Sequence, residues 1–212
     1  MLKVFIGYDP RQPIAFQVLA NSIWRRASRA VSITRLDLRC LPIKRRGLTE
    51  FTYSRFLVPW LCNYEGQALF LDSDMLCLGD IAELFNHEAL TQDVWVVKNP
   101  RLRFEWSSMM FFNNHRCVNL TPEFIESDSN PLALNWGEIG ELPPEWNHCV
   151  GYDEPNPNAQ LIHFTQGIPI WNETKDCEYA AVWKAEAAMV NASVSFDELM
   201  GQSVHARHLR TG

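Results

Sequence analysis

The chain opens on an apolar run, Leu2 to Ile6, that stops at Gly7-Tyr8-Asp9-Pro10. A short continuous apolar run bounded by turn residues predicts a strand buried on both faces, as in a parallel sheet. Phe16, Leu19, Ile23 and Ala27 then recur at three- and four-residue steps, so a helix follows, with Pro13 in its first turn where a missing N–H costs nothing. Val31 to Thr34 alternates and predicts a second strand. Between Thr49 and Cys62 the residues Phe56, Leu57, Trp60 and Leu61 lie at helical spacing, which predicts a helix kinked at Pro59. Next comes Gln67 to Asp80, in which Ala68 to Leu71 runs straight into Asp72-Ser73-Asp74. A second apolar run, Met75 to Leu78, follows before Gly79-Asp80.

Farther on, Asp80-Ile81-Ala82-Glu83 has the form of a capping box and predicts a short helix through Phe85. Val94 to Val97 and Ser107 to Phe112 read as strands, separated by a polar loop around Arg101 and Arg103. Thr121-Pro122-Glu123 is an N-cap followed by proline at the first helical position. The proline-rich stretch from Asp128 to Asn158 predicts loops and short pieces. Ala159 to Phe164 returns to strand character, Tyr179 to Val190 predicts a helix, and the tail from Phe196 predicts one more. Strands alternating with helices predict an α/β fold with a mainly parallel central sheet.

Composition narrows the class. At 212 residues and 47% hydrophobic the chain suits one domain with a sizeable core. A net charge of −6 gives no ground for a nucleic-acid partner, and the basic clusters Lys44-Arg45-Arg46 and His205 to Arg210 read as solvated loop and tail. No segment approaches the ~18 apolar residues of a membrane span, and Val4-Phe5-Ile6, stopped at Gly7-Tyr8-Asp9, is too short for a secretory h-region. The six cysteines are scattered without a C-x-x-C pair, so they read as reduced structural thiols and the expected location is cytoplasmic.

The chemistry concentrates at Asp72 and Asp74. Residues i and i+2 of an extended chain point the same way, so both carboxylates can converge on one cation just beyond the sheet, where open α/β folds bind ligands. Taken alone, the tripeptide fits an acidic turn equally well, with Asp72 capping a backbone N–H.

Further residues tip the balance. Tyr53-Ser54-Arg55-Phe56, then Leu69-Phe70-Leu71-Asp72-Ser73-Asp74, then Trp146-Asn147, then His163-Phe164-Thr165-Gln166-Gly167-Ile168-Pro169-Ile170-Trp171 follow one another in order. This series resembles the motifs of nucleotide-sugar glycosyltransferases with the GT-A (Rossmann-like) fold, those of family 8 in particular. The resemblance implies a single glycosyltransferase domain over residues 1–212, its nucleotide-binding part about 1–98 and its acceptor and metal-completing part about 99–212. It implies transfer of a sugar from a UDP-sugar donor to a carbohydrate or other hydroxyl acceptor, with retention of anomeric configuration. It further implies that Asp72, Asp74 and His163 hold Mn²⁺ or Mg²⁺; hard carboxylate oxygens suit both ions and one imidazole favours Mn²⁺. Gly7, Tyr8 and Asp9 match the family's nucleotide-binding turn, Ser73 its ribose contact and Arg55 its donor-sugar and phosphate contact. Gly167 would offer a backbone N–H to the diphosphate.

There are also departures. The lysine that usually follows the glycine of the histidine motif is replaced by Ile168-Pro169, leaving Arg11 as the candidate phosphate contact. Ser107-Ser108 stands where the family has the small pair of its Phe-Asn-Ala-Gly strand. An Asp-Gln-Asp near the reacting carbon is missing, and Glu138 and Glu141 are the nearest acidic substitutes. Acceptor specificity is assigned to the loops Asn99 to Glu105 and Asp128 to Asn158.

Two other classes share parts of the pattern. Phosphatases of the haloacid dehalogenase group also place Asp-x-Asp after a buried strand, the first Asp being a nucleophile, but with Thr or Val where this chain has Leu76. A nucleotide- or carbohydrate-binding protein without turnover is the non-enzymatic alternative.

Overall fold

The computed structural model describes residues 1–86, 91–127 and 130–191. In chain order the main elements are β1 (Leu2–Gly7), α1 (Pro13–Arg26), β2 (Val31–Leu36), α2 (Val58–Leu61), β3 (Gln67–Leu71), β4 (Met75–Cys77), β5 (Val94–Val97) and β6 (Met109–Asn113). They continue with α3 (Pro122–Glu126), β7 (Ile139–Leu142), β8 (His148–Cys149), β9 (Leu161–His163) and α4 (Ala180–Asn191). Among the described residues six strands form a central sheet in the order β2-β1-β3-β6-β5-β7, and β4, β9 and β8 form a second, smaller sheet. Within the large sheet only β6 runs against its neighbours, so the sheet is mainly parallel.

The continuous apolar runs divide by strand period. Val4, Ile6, Leu69, Leu71, Met109 and Phe111 join the core on one face, with α1. Phe5, Ala68, Phe70, Met110 and Phe112 join the core on the other face, with Phe56, Leu57 and Val58. Side chains alternate across a strand, so a run apolar at every position is one with both faces covered. Each fully buried side chain of this size contributes roughly 1.5–3 kcal/mol of transfer free energy. A third cluster packs α1 and α4 against the small sheet through Val18, Leu76, Ile162 and Trp183. There Glu186, almost fully buried, accepts from Asn21, Arg25 and Arg26 and ties the two helices together.

Several expectations are corrected. The long helix from Thr49 to Cys62 is instead a loop, a 3-10 turn over Ser54–Leu57 and the single turn α2. Pro59, with no N–H and a ring that crowds the carbonyl four residues back, sits in the first turn of α2 rather than kinking a longer helix. The strand expected from Ser107 begins at Met109, because Arg103–Ser107 forms a 3-10 turn. Met75–Cys77, the second apolar run, forms β4 of the small sheet. The stretch expected to hold loops and short pieces contains β7, a four-residue edge strand paired with β5. Its centre, Gly140, has Trp95 lying on it so closely that a Cβ would fall 2.4 Å from the indole, and a glycine in so short a run hides the strand pattern. Asp80 does start a short 3-10 helix, Ile81–Asn86, its carboxylate accepting from Ala82 N. Thr121 caps α3 through Phe124 N. The helix expected from Phe196 and the cluster His205 to Arg210 lie outside the described residues.

All six cysteines are free. Burial pushes the Cys77 and Cys117 thiols up to about 12, which keeps them inert. Among the described residues no helix is long and apolar enough to cross a membrane.

Candidate metal and nucleotide site

Strands β1, β3, β5 and β7 all end at one edge of the large sheet, where β6 begins. Beyond β3 the ladder continues for one more bond, Asp72 N–H donating to Ser108 O at 2.8 Å. The chain then turns through Ser73 and Asp74 into β4. There β9 pairs antiparallel with β4, His163 opposite Met75, and Phe164 N–H donates to the Asp74 carbonyl at 2.9 Å. The result brings Asp72, Asp74 and His163 together with ligand atoms all within 4.8 Å of one another.

Two of the three, Asp72 and His163, are held from behind. Arg55 is buried, its Nη1 donating to Ser107 O at 2.6 Å and its Nε to Phe51 O at 3.3 Å. Its Nη2 stands 3.1 Å from Asp72 Oδ1 but donates, at 3.4 Å, to Oδ2. His163 Nδ1 lies 3.1 Å from Asn147 Oδ1, which makes Nδ1 the protonated nitrogen of the neutral ring and leaves Nε2 facing Asp74 Oδ1 at 3.5 Å. Asn147 is fixed in turn by donating to Ser108 Oγ at 3.0 Å. A histidine whose far nitrogen is pinned by an amide while the near one faces carboxylates has the arrangement of a metal ligand.

Electrostatics and unmet bonding point the same way. Burial pushes the Asp72 carboxyl up to about 7, against the pull of Arg55. Burial pushes His163 down, but the neighbouring Asp74 more than offsets it and holds the imidazolium well above its ordinary range. Asp72 Oδ1 and Asp74 Oδ1 are buried and accept no hydrogen bond among the described residues. Two orphaned carboxylate oxygens beside His163 Nε2 fit a divalent cation, which would take the place of the imidazolium proton and satisfy all three groups at once.

The cluster lies between two cavities. One, about 280 Å³, is lined by Arg55, Asp72, Asp74, Glu105, Ser107 and His163, among others, with Leu48 and Phe104 exposed beside it. The other, about 60 Å³, lies on the β1 side and is lined by Asp9, Gln12, Thr49, Phe51, Ser73 and Asp74. A separate cavity of about 300 Å³ is lined by Lys98, Asn147, His148 and Asp153. There His148 is paired with Glu178 and Asp153 with Asn99.

The remaining predicted residues fall around this frame with altered duties. Asp9 lines the small cavity, but its carboxylate also takes Arg11 N at 2.9 Å and the Arg11 guanidinium at 2.6 Å. Those arginine hydrogen bonds hold it below the usual carboxylate range. It does not cap α1, whose N-cap is Gln12 without a side-chain bond. Arg11, 68% exposed, is spent on Asp9 and does not line either cavity. Tyr8 has the Arg35 guanidinium over its ring at 4.5 Å and the Phe16 ring at its edge. Gly7 is needed for a close approach, but that of Phe51, whose ring lies 2.4 Å from where a Cβ would stand. Ser73 is buried and faces the small cavity. The Gly167 N–H expected on the diphosphate donates instead to Phe164 O at 2.7 Å, closing a turn. Glu138 pairs with Arg116 and Glu141 points to solvent; neither lines the site. Sequence reasoning missed Glu105, a single acid in a polar loop with no spacing signal, and the duty of Asn147, which was visible only as part of a motif.

No family model matches the chain. Protein CDI of Arabidopsis thaliana is 33% identical over 225 aligned positions, covering 89% of this chain and 87% of that protein. Among solved structures, the bifunctional glycosyltransferase WbbM superposes with a TM-score of 0.65 at 16% identity, over 93% of this chain and 50% of that one. The glycosyltransferase GlyE of Streptococcus pneumoniae TIGR4 gives 0.65 at 17% identity, over 88% and 61%. The galactosyltransferase LgtC, solved with donor and acceptor sugar analogs, gives 0.62 at 11% identity, over 90% and 96%. The chain thus spans half of WbbM and about three-fifths of GlyE, and at these identities what is shared is the fold. That fold is the GT-A glycosyltransferase fold.

Proposed function

The chain belongs to the family of Protein CDI of Arabidopsis thaliana, and from that premise and its fold we propose that it is a metal-dependent glycosyltransferase. It moves a sugar from a UDP-sugar to a carbohydrate or other hydroxyl acceptor, with retention, in the manner of family 8. The observation that carries this reading is the convergence of Asp72, Asp74 and His163 with two orphaned carboxylate oxygens at the carboxyl edge of the sheet.

In this reading Asp72, Asp74 and His163 hold Mn²⁺ or Mg²⁺. Such an ion supplies Lewis-acid stabilisation of the charge gathering on a departing nucleoside diphosphate. Arg55 keeps Asp72 aimed at the site and adds a positive charge beneath it, and Asn147 keeps His163 in the tautomer that presents Nε2. Asp9 and Ser73 bound the cavity that takes the nucleoside, Asp9 offering its carboxylate to the base edge once Arg11 swings away. Residues 1–98 carry the nucleotide side, and the rest of the chain completes the metal site and meets the acceptor. The acceptor hydroxyl attacks on the face the diphosphate leaves and passes its proton to the departing phosphate oxygen.

The test is thermal unfolding with Mn²⁺ and UDP. At a hundredfold excess over Kd the pair adds about 2.7 kcal/mol and raises Tm by several degrees. Asp74→Asn removes the rise. A shift that survives in Asp74→Asn refutes the metal assignment, and consumption of a phosphate monoester but of no UDP-sugar refutes the transferase reading.

A further inference from the structure

Three carboxylates line the 280 Å³ cavity: Asp72, Asp74 and Glu105. Asp72 stands 3.1 Å from the Arg55 guanidinium and Asp74 stands 3.5 Å from His163 Nε2. Glu105 is different. Its backbone is fixed, N–H donating to Leu102 O at 2.9 Å and its carbonyl accepting from both Ser108 N at 3.0 Å and Ser108 Oγ at 2.6 Å. Its side chain is mostly buried and its carboxylate accepts no hydrogen bond among the described residues. The ion-pair contact it makes is to His163 Nδ1 at 3.9 Å, a nitrogen 3.1 Å from Asn147 Oδ1. A largely desolvated carboxylate without donors calls for a ligand that brings them.

Position says which part of a ligand that is. Asp74 is shared by both cavities, the small one on the β1 side and the large one on the β6 side, where the 3-10 turn Arg103–Ser107 carries Glu105. A nucleoside diphosphate-sugar with its nucleoside in the small cavity and its diphosphate at Asp72 and Asp74 has its sugar beside Glu105. We propose that Glu105 is a catalytic residue that accepts hydrogen bonds from the transferred sugar and opposes the positive charge developing on its ring. This inference rests on the donor reading above. As the bond from the anomeric carbon to the phosphate oxygen breaks, its electron pair leaves with the diphosphate. The incoming hydroxyl oxygen, or water, supplies the new bond and its proton ends on the leaving phosphate. Glu105 remains a carboxylate throughout and takes no part in the bonding. Preorganised charge aimed at developing charge in a site of low dielectric is among the larger sources of rate.

The experiment compares wild type, Glu105→Gln and Glu105→Asp in Mn²⁺ with UDP-glucose and UDP-galactose as probes, reading hydrolysis of the donor and the Tm shift given by Mn²⁺ with UDP. The expected result is a fall in kcat of about 100-fold in Glu105→Gln, a smaller fall in Glu105→Asp, and an undiminished UDP shift in both. Hydrolysis by Glu105→Gln within threefold of wild type overturns the proposal. So does a UDP shift lost along with the rate, which would make Glu105 a prop of the metal site, and so does a wild type that binds UDP yet hydrolyses neither donor. Failure of Mn²⁺ and UDP to shift the wild type would strike the donor reading itself.

Discussion

His163 Nε2 stands 3.5 Å from Asp74 Oδ1 because β9 pairs with β4 in a register that sets His163 opposite Met75. Met75 is the residue after Asp74, so one antiparallel ladder carries the imidazole to the two aspartates. Arg55 and Asn147 brace that juxtaposition from behind.

Asn147 is the brace on the histidine. Asn147→Ala leaves His163 Nδ1 without its acceptor and frees the ring to turn. Mn²⁺ affinity, measured by calorimetry, is expected to fall by about 10–100-fold with the far-UV spectrum unchanged.

Arg55 is the brace on Asp72, and both groups are buried. Arg55→Met strands the carboxylate without its counter-charge. At pH 8, where Asp72 is ionised, urea unfolding should show a loss of about 3 kcal/mol. At pH 5 the loss should be smaller, because a carboxyl pushed up to about 7 is neutral there and needs no partner.

The same raised carboxyl gives the metal-free protein a pH signature. Asp72 binds its proton more tightly folded than unfolded, so its contribution to stability is full below the ordinary carboxylate range and is lost as pH rises through about 7. In EDTA, Tm should decline between about pH 4 and pH 7. Asp72→Asn should flatten that decline, and adding Mn²⁺ at pH 7.5 should recover the lost stability in the wild type alone.

Gly7 tests the nucleotide side. A Cβ there meets the Phe51 ring at 2.4 Å, and Phe51 also lines the small cavity. Gly7→Ala should cost about 1–3 kcal/mol in urea unfolding by overpacking. It should also weaken UDP binding, measured by calorimetry, while leaving Mn²⁺ binding without nucleotide within a factor of two or three.

Much of the fold was legible in the residue order. Leu2 to Ile6, Ala68 to Leu71 and Val94 to Val97 are apolar at successive positions, and a strand with both faces covered is what that pattern means. Pro13 and the stripe Leu19, Ile23 gave α1, and Thr121-Pro122 gave the start of α3. The pair Asp72 and Asp74 was visible as a candidate for the same reason, since residue spacing in an extended chain fixes direction.

Elsewhere the local signal was absent or misleading. Helical spacing between Thr49 and Cys62 lost to Pro59 and to the pull of Arg55 toward Ser107 and Asp72. Gly140 concealed β7 because its meaning lies in Trp95, far away in the chain. The turn at Asp9, expected to present its carboxylate to a nucleotide, is held by Arg11.

Sequence by itself determined that Leu2 to Ile6, Ala68 to Leu71 and Val94 to Val97 are buried strands and that Asp72 and Asp74 share a face, because both follow from periodicities of a few residues. Tertiary structure alone decided that His163 faces Asp74, that Asn147 sets its tautomer, and that Glu105 looks into the same cavity without a donor. Those relationships depend on strand register and loop placement between distant segments, which are fixed by the packing of the whole chain.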